Sequence, residues 1–318
     1  MSSKRSRVHP RYKTKYRVTN WVAYDRALVA RGDITLWVTS EALEAWRPAP
    51  TGRRGAQPKF SNLAIETALT LRIVFHLPLR QAEGFLRSIV RIMGLDLESP
   101  DHTTLSRRGQ SLALDLRAVP HQGPIHLLID SSGLSAYGEG EWAAAKHGAK
   151  GRRGWRKLHL SVDTRGMILA QCLTEATADD ASTALDLLAT IKGTITCVTA
   201  DGAYDTTAFY EAAGKRGASV VVPPSTTATS SRKPHARASP RNRTIERVQE
   251  IGRRAWKKEA GYHQQARVEN AFFRYKTIVG DRLRARSEAG RRVEARIACD
   301  VLNRMTELGR PESVAIGP

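Results

Sequence analysis

The chain has 318 residues, with 51 Lys or Arg against 31 Asp or Glu, a formal charge of +20 and a sequence pI near 10.4. Apolar residues make up 41% of it, enough for a sizeable core, and no apolar run approaches the roughly 18 residues that a membrane helix needs. So large a basic excess points to a polyanionic partner. Nucleic acid ranks before anionic membrane, because neither a basic amphipathic helix nor a lipidation motif is present.

Residues 1–20 hold seven Lys or Arg and no acid, with no apolar stretch behind them; they read as a mobile basic arm and not as a secretory signal. A helical region is expected over 21–120. Ser61 is placed to cap a helix carrying Leu63, Ile65, Ala68, Leu69 and Ile73, and a second helix is expected from about Leu79 to Met93, stopped at Gly94. Ser99 and Pro100 are expected to cap and open a third helix, which carries Thr103, Thr104, Arg107 and Arg108. Two helices so joined, the second basic near its start, suggest a helix-turn-helix reader of DNA contacting it through those four residues; a plain helical hairpin is the alternative.

After Pro120 the texture changes. Ile125 to Ile129 reads as a buried strand ending at Asp130. Lys157 to Val162 and Met167 to Thr174 read as a hairpin about Asp163-Thr164-Arg165-Gly166. A helix over Ala181 to Ile191, capped by Asp179 or Asp180, a strand Ile195 to Ala200 ending at Asp201, a helix Thr207 to Arg216 and a strand Ala218 to Val222 follow. Three strands, helix, strand, helix, strand resembles the ribonuclease H-like α/β fold, a mixed sheet with helices on its faces. That catalytic region is expected over 121–310. Residues 225–261, with 10 basic and three acidic residues, read as a basic insertion or flexible loop lying against DNA. Two helices, about Tyr262 to Val279 and Arg291 to Leu308, close the chain. Cys172, Cys197 and Cys299 form no pairable or zinc-binding pattern and read as buried thiols of a reducing cytoplasm.

Asp130 and Asp201 stand at the ends of two apolar strands, where ligands gather in α/β sheets. If the strands are neighbours, the carboxylates repel each other unless a hard divalent cation neutralises them. Either residue alone could equally open a turn. In the Tyr262–Val279 helix, Val268, Ala271, Phe272, Tyr275 and Ile278 form the buried face, while Tyr262, Gln265, Glu269 and Lys276 share another. Trp256, within a basic run, is a candidate for stacking on an unpaired base. Arg152 and Arg153, with Lys146, Lys150, Arg156 and Lys157, form a second basic cluster suited to tracking a DNA backbone. Asp180 reads as a helix cap and Glu175 as a surface residue, neither needed for the site.

Several stretches together resemble the bacterial insertion-sequence transposases of the IS-five family, in its 903 subgroup. These are Tyr16-Arg17-Val18-Thr19-Asn20-Trp21, Ile129-Asp130-Ser131-Ser132-Gly133-Leu134, Gly138-Glu139-Gly140-Glu141-Trp142, Trp155-Arg156-Lys157-Leu158-His159-Leu160, Ala200-Asp201-Gly202-Ala203-Tyr204-Asp205 and the Glu269 helix. The resemblance implies a catalytic triad of Asp130, Asp201 and Glu269 that holds two Mg²⁺ ions, with Mn²⁺ able to substitute. It implies action on double-stranded DNA, both terminal inverted repeats and target, by a homodimer or higher multimer in the cytoplasm. The family's Tyr-x2-Arg-x3-Glu-x6-Lys signature is matched by Tyr262, Glu269 and Lys276, which implies a phosphate-binding role for Lys276 and a sugar or base contact for Tyr262. Its Arg position is Gln265 here. That departure removes a phosphate clamp and raises an alternative, a derivative that binds DNA sequence-specifically without cutting it.

Overall fold

A computed structural model describes residues 16–50, 52, 54–55, 57–112, 116, 123–136, 154–230 and 239–316. The supposedly free arm is tied down at its end. Strand β1 (Tyr16–Val18) pairs antiparallel with β8 (Ser313–Ala315), and the Asn20 side chain bridges the Arg310 carbonyl and the Glu312 amide. The first 15 residues lie outside the described part.

Among the described residues six helices follow: α1 (Trp21–Ala30), α2 (Ile34–Trp37), α3 (Ser40–Glu44), α4 (Asn62–Val74), α5 (Leu79–Ile92) and α6 (His102–Arg108). Ser61 caps α4 as expected, its hydroxyl accepting the Ala64 amide at 3.1 Å. The start of α6 differs from the expectation. Asp101, not Ser99, is its cap, because a carboxylate accepts the Thr103 and Thr104 amides at 2.9 and 2.8 Å and both threonine hydroxyls besides; one serine oxygen cannot match that. Glu83 of α5 then clasps α6 by accepting the His102 amide at 2.9 Å.

The sheet runs β4 (Ile168–Glu175), β3 (Trp155–Val162), β2 (Ile125–Ala136), β5 (Ile195–Thr199), β6 (Ser219–Val221) in spatial order. The pairs β2–β3 and β3–β4 are antiparallel; β2–β5 and β5–β6 are parallel. The mixed sheet and its chain order agree with the sequence pattern. Strand β2 is longer than expected: it continues through Asp130 to Ala136, because its far half is paired by β3 on one side and, on the other, by the short strand β7 (Arg282–Leu283) at its end.

Alternation along β2 sends Ile125, Leu127 and Ile129 to one face, against α7 (Asp180–Thr190) and α8 (Thr207–Lys215). Leu128 and Leu134 join Leu158, Leu160 and Val162 on the other face. There the apolar core continues without a break through α11 (Ala266–Arg274) and α12 (Glu288–Leu308) to α4 and α5. Asn303 of α12 seals the edge strand β4 by pairing both the amide and the carbonyl of Ile168 at 2.8 Å.

The stretch expected to be a basic loop is largely helical where it is described. Its helices are α9 (Pro240–Ile251), capped by Ser239, and α10 (Arg253–Glu259). Two buried apolar anchors, Ile245 and Trp256, hold them down, and Arg247 bridges them by gripping Glu259 at 2.8 and 3.0 Å. No helix among the described residues is long and apolar enough to cross a membrane.

Candidate active site

Pairing between the parallel strands β2 and β5 ends at Leu128 opposite Thr199. Asp130 and Asp201 each lie two residues past that last pair, so adjacent strands about 4.8 Å apart bring them to the same level. Asp130 is not at a strand terminus as expected; it lies mid-strand, just where the β5 neighbour turns away and stops covering that side of β2. Asp201 turns off its strand to cap a short 3-10 turn, Gly202–Tyr204, accepting the Ala203 amide at 2.9 Å.

The helix expected over 262–279 is built in three parts: a 3-10 turn (Tyr262–Gln265), α11, and a π turn (Tyr275–Val279). Val268, Ala271, Phe272 and Tyr275 are buried as the periodicity requires. Two polar tethers fix this helix over β2. Gln265 donates to the Ile129 carbonyl at 3.0 Å, and Lys276 donates to the Ser132 hydroxyl at 2.6 Å. They flank Asp130 in sequence. Glu269 follows Gln265 by four residues, hence on the same side of the helix.

The electrostatics link the three acids. Burial pushes the Asp130 carboxyl up to about 7, and the charges of Asp201, Glu269 and Asp180 push the same way, against one hydrogen bond from the Ser131 amide at 2.8 Å. The Tyr262 hydroxyl is pushed up to about 12 by burial and then by Asp201, Glu269 and Asp130. Burial, with Asp130, Asp180 and Asp201, drives the Tyr204 hydroxyl well above its ordinary value. No group of three Asp, Glu, His or Cys side chains among the described residues is closed to metal-ligand spacing. The donor set nevertheless suits a hard divalent cation: oxygen acids only, with one carboxyl that resists ionisation until a positive charge arrives.

Two family models, each described as a transposase DDE domain, match residues 29–139 and 121–304, the second alone spanning more than half the chain. The chain belongs to the transposase DDE-domain family. A mixed sheet of this kind accords with the ribonuclease H-like core of such enzymes. Membership makes this a transposase of a class that cuts and transfers DNA strands and typically uses divalent metal ions.

Several residues singled out for DNA contact in this transposase are committed elsewhere. The Thr103 and Thr104 hydroxyls are turned into the Asp101 cap, and the Arg108 guanidinium holds the Phe60 carbonyl at 3.0 Å and Asn62 at 2.7 Å. Trp256 is 5% exposed, so its indole anchors α10 and offers no open face to a base. Arg107 is exposed, and Tyr262 is half-buried with the Lys257 ammonium over its ring at 4.5 Å. Arg152 and Arg153, with Lys146 and Lys150, lie outside the described residues. Arg156 pairs with Glu175 and Glu288, and Lys157 with Asp180, so that end of the basic cluster is partly neutralised.

Asp180 is the acid that sequence reasoning set aside. Asp179 takes the helix cap, accepting the Ser182 amide at 2.7 Å. Asp180 is thereby free to face Lys157 at 3.2 Å and the buried His159 at 3.6 Å, and to add to the field at Asp130. Asp205, to which the sequence assigned no role of its own, holds Arg241 through two bonds of 2.7 and 2.9 Å, tying α9 to the segment that bears Asp201. Only its place in the Asp-Gly-Ala-Tyr-Asp stretch hinted at a role.

Proposed function

We propose that Asp130, Asp201 and Glu269 form the catalytic triad of an insertion-sequence transposase of the IS-five family, 903 subgroup, and that they hold two divalent cations, Mg²⁺ with Mn²⁺ able to substitute. The substrates are the terminal inverted repeats of its element and the target DNA, gathered by a homodimer or higher multimer. The observation that carries this reading is that Asp130 and Asp201 each stand two residues beyond the last β2–β5 pair, beneath a helix that bears Glu269 and is tethered to β2 on both sides of Asp130.

When bound, the cations would neutralise the charge that develops on both oxygens of an in-line phosphoryl displacement. The protein's own part is placement. Asp130 and Asp201 are set by neighbouring strands, and Glu269 by a helix tethered at Gln265 and Lys276. Hydrolysis breaks the P–O3′ bond at the element's end, leaving a 3′-hydroxyl and a 5′-phosphate. That hydroxyl then attacks a target phosphodiester and displaces its 3′-oxygen, so one P–O bond forms as one breaks. Lys276, exposed beside Ser132, is positioned to meet a phosphate near the scissile bond, and Tyr262 to pack against sugar or base.

A second reading, a DNA-binding derivative that no longer cuts, is favoured by Gln265. The residue is 2% exposed and its amide nitrogen is engaged with the strand that carries Asp130, so it is not presented to a phosphate. An end-cleavage and strand-transfer assay with the full chain, an inverted-repeat duplex and Mg²⁺ separates the readings. Nicking followed by joining is expected; binding without nicking supports the second reading, and nicking without joining leaves a nuclease.

A further inference from the structure

A cavity of about 860 Å³ opens between α6, the start of α5 and the turn that leads from β7 into α12. Among the described residues its walls carry Arg72, Arg80, Arg107, Arg284 and Arg286 against one carboxylate, Glu294. That carboxylate is already occupied: it accepts the Arg284 and Ala285 amides at 2.7 to 3.1 Å. Arg80, Arg107 and Arg286 are exposed, and among the described residues none of their side chains has an ion-pair or hydrogen-bond partner.

Arg72 supplies the independent sign that something is missing. It is 8% exposed, lines the cavity, and its Nε proton has no acceptor. Burial disfavours the charge of this guanidinium and the Glu294 carboxylate offsets only part of that, so an anion held in the cavity would stabilise it further. Guanidinium groups in this number suit phosphate oxygens better than any apolar guest, since each presents a planar fork of donors.

The cavity is joined to the carboxylates through one strand. Arg282 and Leu283 pair with Ser135 and Ala136 at the far end of β2, and Arg284 follows at once. Five residues along β2 from Asp130 to Ser135 span about 17 Å, roughly half a turn of a DNA duplex. We infer that this arginine-lined cleft grips the phosphodiester backbone of the duplex whose end is held at the carboxylates. The inference rests on the reading of DNA as substrate given above and adds a contact surface beyond the far end of β2 from the chemistry.

The test uses the full chain and a labelled inverted-repeat duplex, with affinity measured from low to moderate salt. Each lost phosphate contact lowers the slope of log affinity against log salt by about 0.9. The double variant Arg80→Ala/Arg286→Ala is expected to lose about 2 from that slope, equally for specific and unrelated sequences. Lys192→Ala/Lys215→Ala, which removes the same charge near the α7 and α8 face, is expected to leave the slope unmoved. Equal slopes for both variants overturn the cleft while leaving nicking, and so the proposed function, intact. Wild-type protein that fails to bind DNA overturns both readings. Inorganic pyrophosphate binding that the arginine variant abolishes, with the DNA slope unmoved, makes the cleft a small-anion site and also overturns the inference.

Discussion

Asp101 and Asp130 are the same residue type in two regions of one molecule, and they titrate in opposite directions. At the start of α6, Asp101 collects four hydrogen bonds from Thr103 and Thr104, which hold its carboxyl well below the usual range. On β2, Asp130 collects one hydrogen bond, from Ser131, and burial among other acids pushes it up to about 7. The chain satisfies the first carboxylate locally; its job ends with the helix it caps. The second is left short of positive partners. A carboxyl kept in that condition makes sense where a partner from outside completes it.

The largest effect should come from removing the second. Asp130→Asn keeps size and shape but weakens the proposed cation ligand, a charge stabilisation worth several kcal/mol. At about 1.4 kcal/mol per tenfold, DNA nicking should fall by a factor on the order of 10³. Asp101→Asn, assayed alongside, should cut at close to the wild-type rate. Equal losses in the two variants would dissolve the contrast between the sites.

The two residues should also give stability profiles of opposite slope in EDTA. Asp130 holds its proton to about pH 7 in the folded chain, against an ordinary value of 3.8. Its contribution is therefore complete below pH 3.8 and is lost as pH rises through about 7. Urea unfolding of Asp130→Asn should match wild type near pH 4 and exceed it by roughly 2–4 kcal/mol near pH 8. For Asp101 the folded value is depressed, so its contribution is present above pH 3.8 and lost on acidification below it. The deficit of Asp101→Asn should accordingly disappear in acid. Parallel profiles would show that the environments differ less than the hydrogen bonds suggest.

Full removal of the cap sharpens the structural half of the comparison. Asp101→Ala strips both oxygens from the first turn of α6 and should cost about 1 kcal/mol, read as a lowered urea midpoint at neutral pH with nicking per folded molecule unchanged.

What could be read from the sequence follows the range of the forces involved. The Ser61 cap, the 3–4 spacing of Val268, Ala271, Phe272 and Tyr275, and the strand and helix order after residue 125 depend on near neighbours, and the structure agrees with them. Asp130 and Asp201 were legible as strand-end acids. That β2 runs on past Asp130 was not, because the strand pairing its far end, β7, comes about 150 residues later. Helices α9 and α10 were obscured by their charge. Ile245 and Trp256 are too sparse to make a visible apolar stripe, and the Arg247–Glu259 and Arg241–Asp205 pairs that steady the helices span 12 and 36 residues. Asp180 was misread for a similar reason: its neighbour Asp179 is equally able to cap, and only the fold reveals which acid is left to face His159.

The smallest effect concerns the residue that joins the helix to the strand at Asp130. Gln265 is buried, and its amide nitrogen donates to the Ile129 carbonyl, one residue before the acid. Gln265→Leu keeps most of the volume and removes the donor, which should lower stability by about 1 kcal/mol or less. The informative readout is catalytic. The tether holds to β2 the helix that bears Glu269, the third proposed ligand, and loosening such a placement is expected to slow chemistry before it weakens binding. Single-turnover nicking should fall about three- to tenfold with the Kd for the duplex unchanged. A weakened Kd with an unchanged cleavage rate would instead make Gln265 a DNA contact. That outcome would reverse the distinction between an amide that serves the strand and the arginine that the family signature places there.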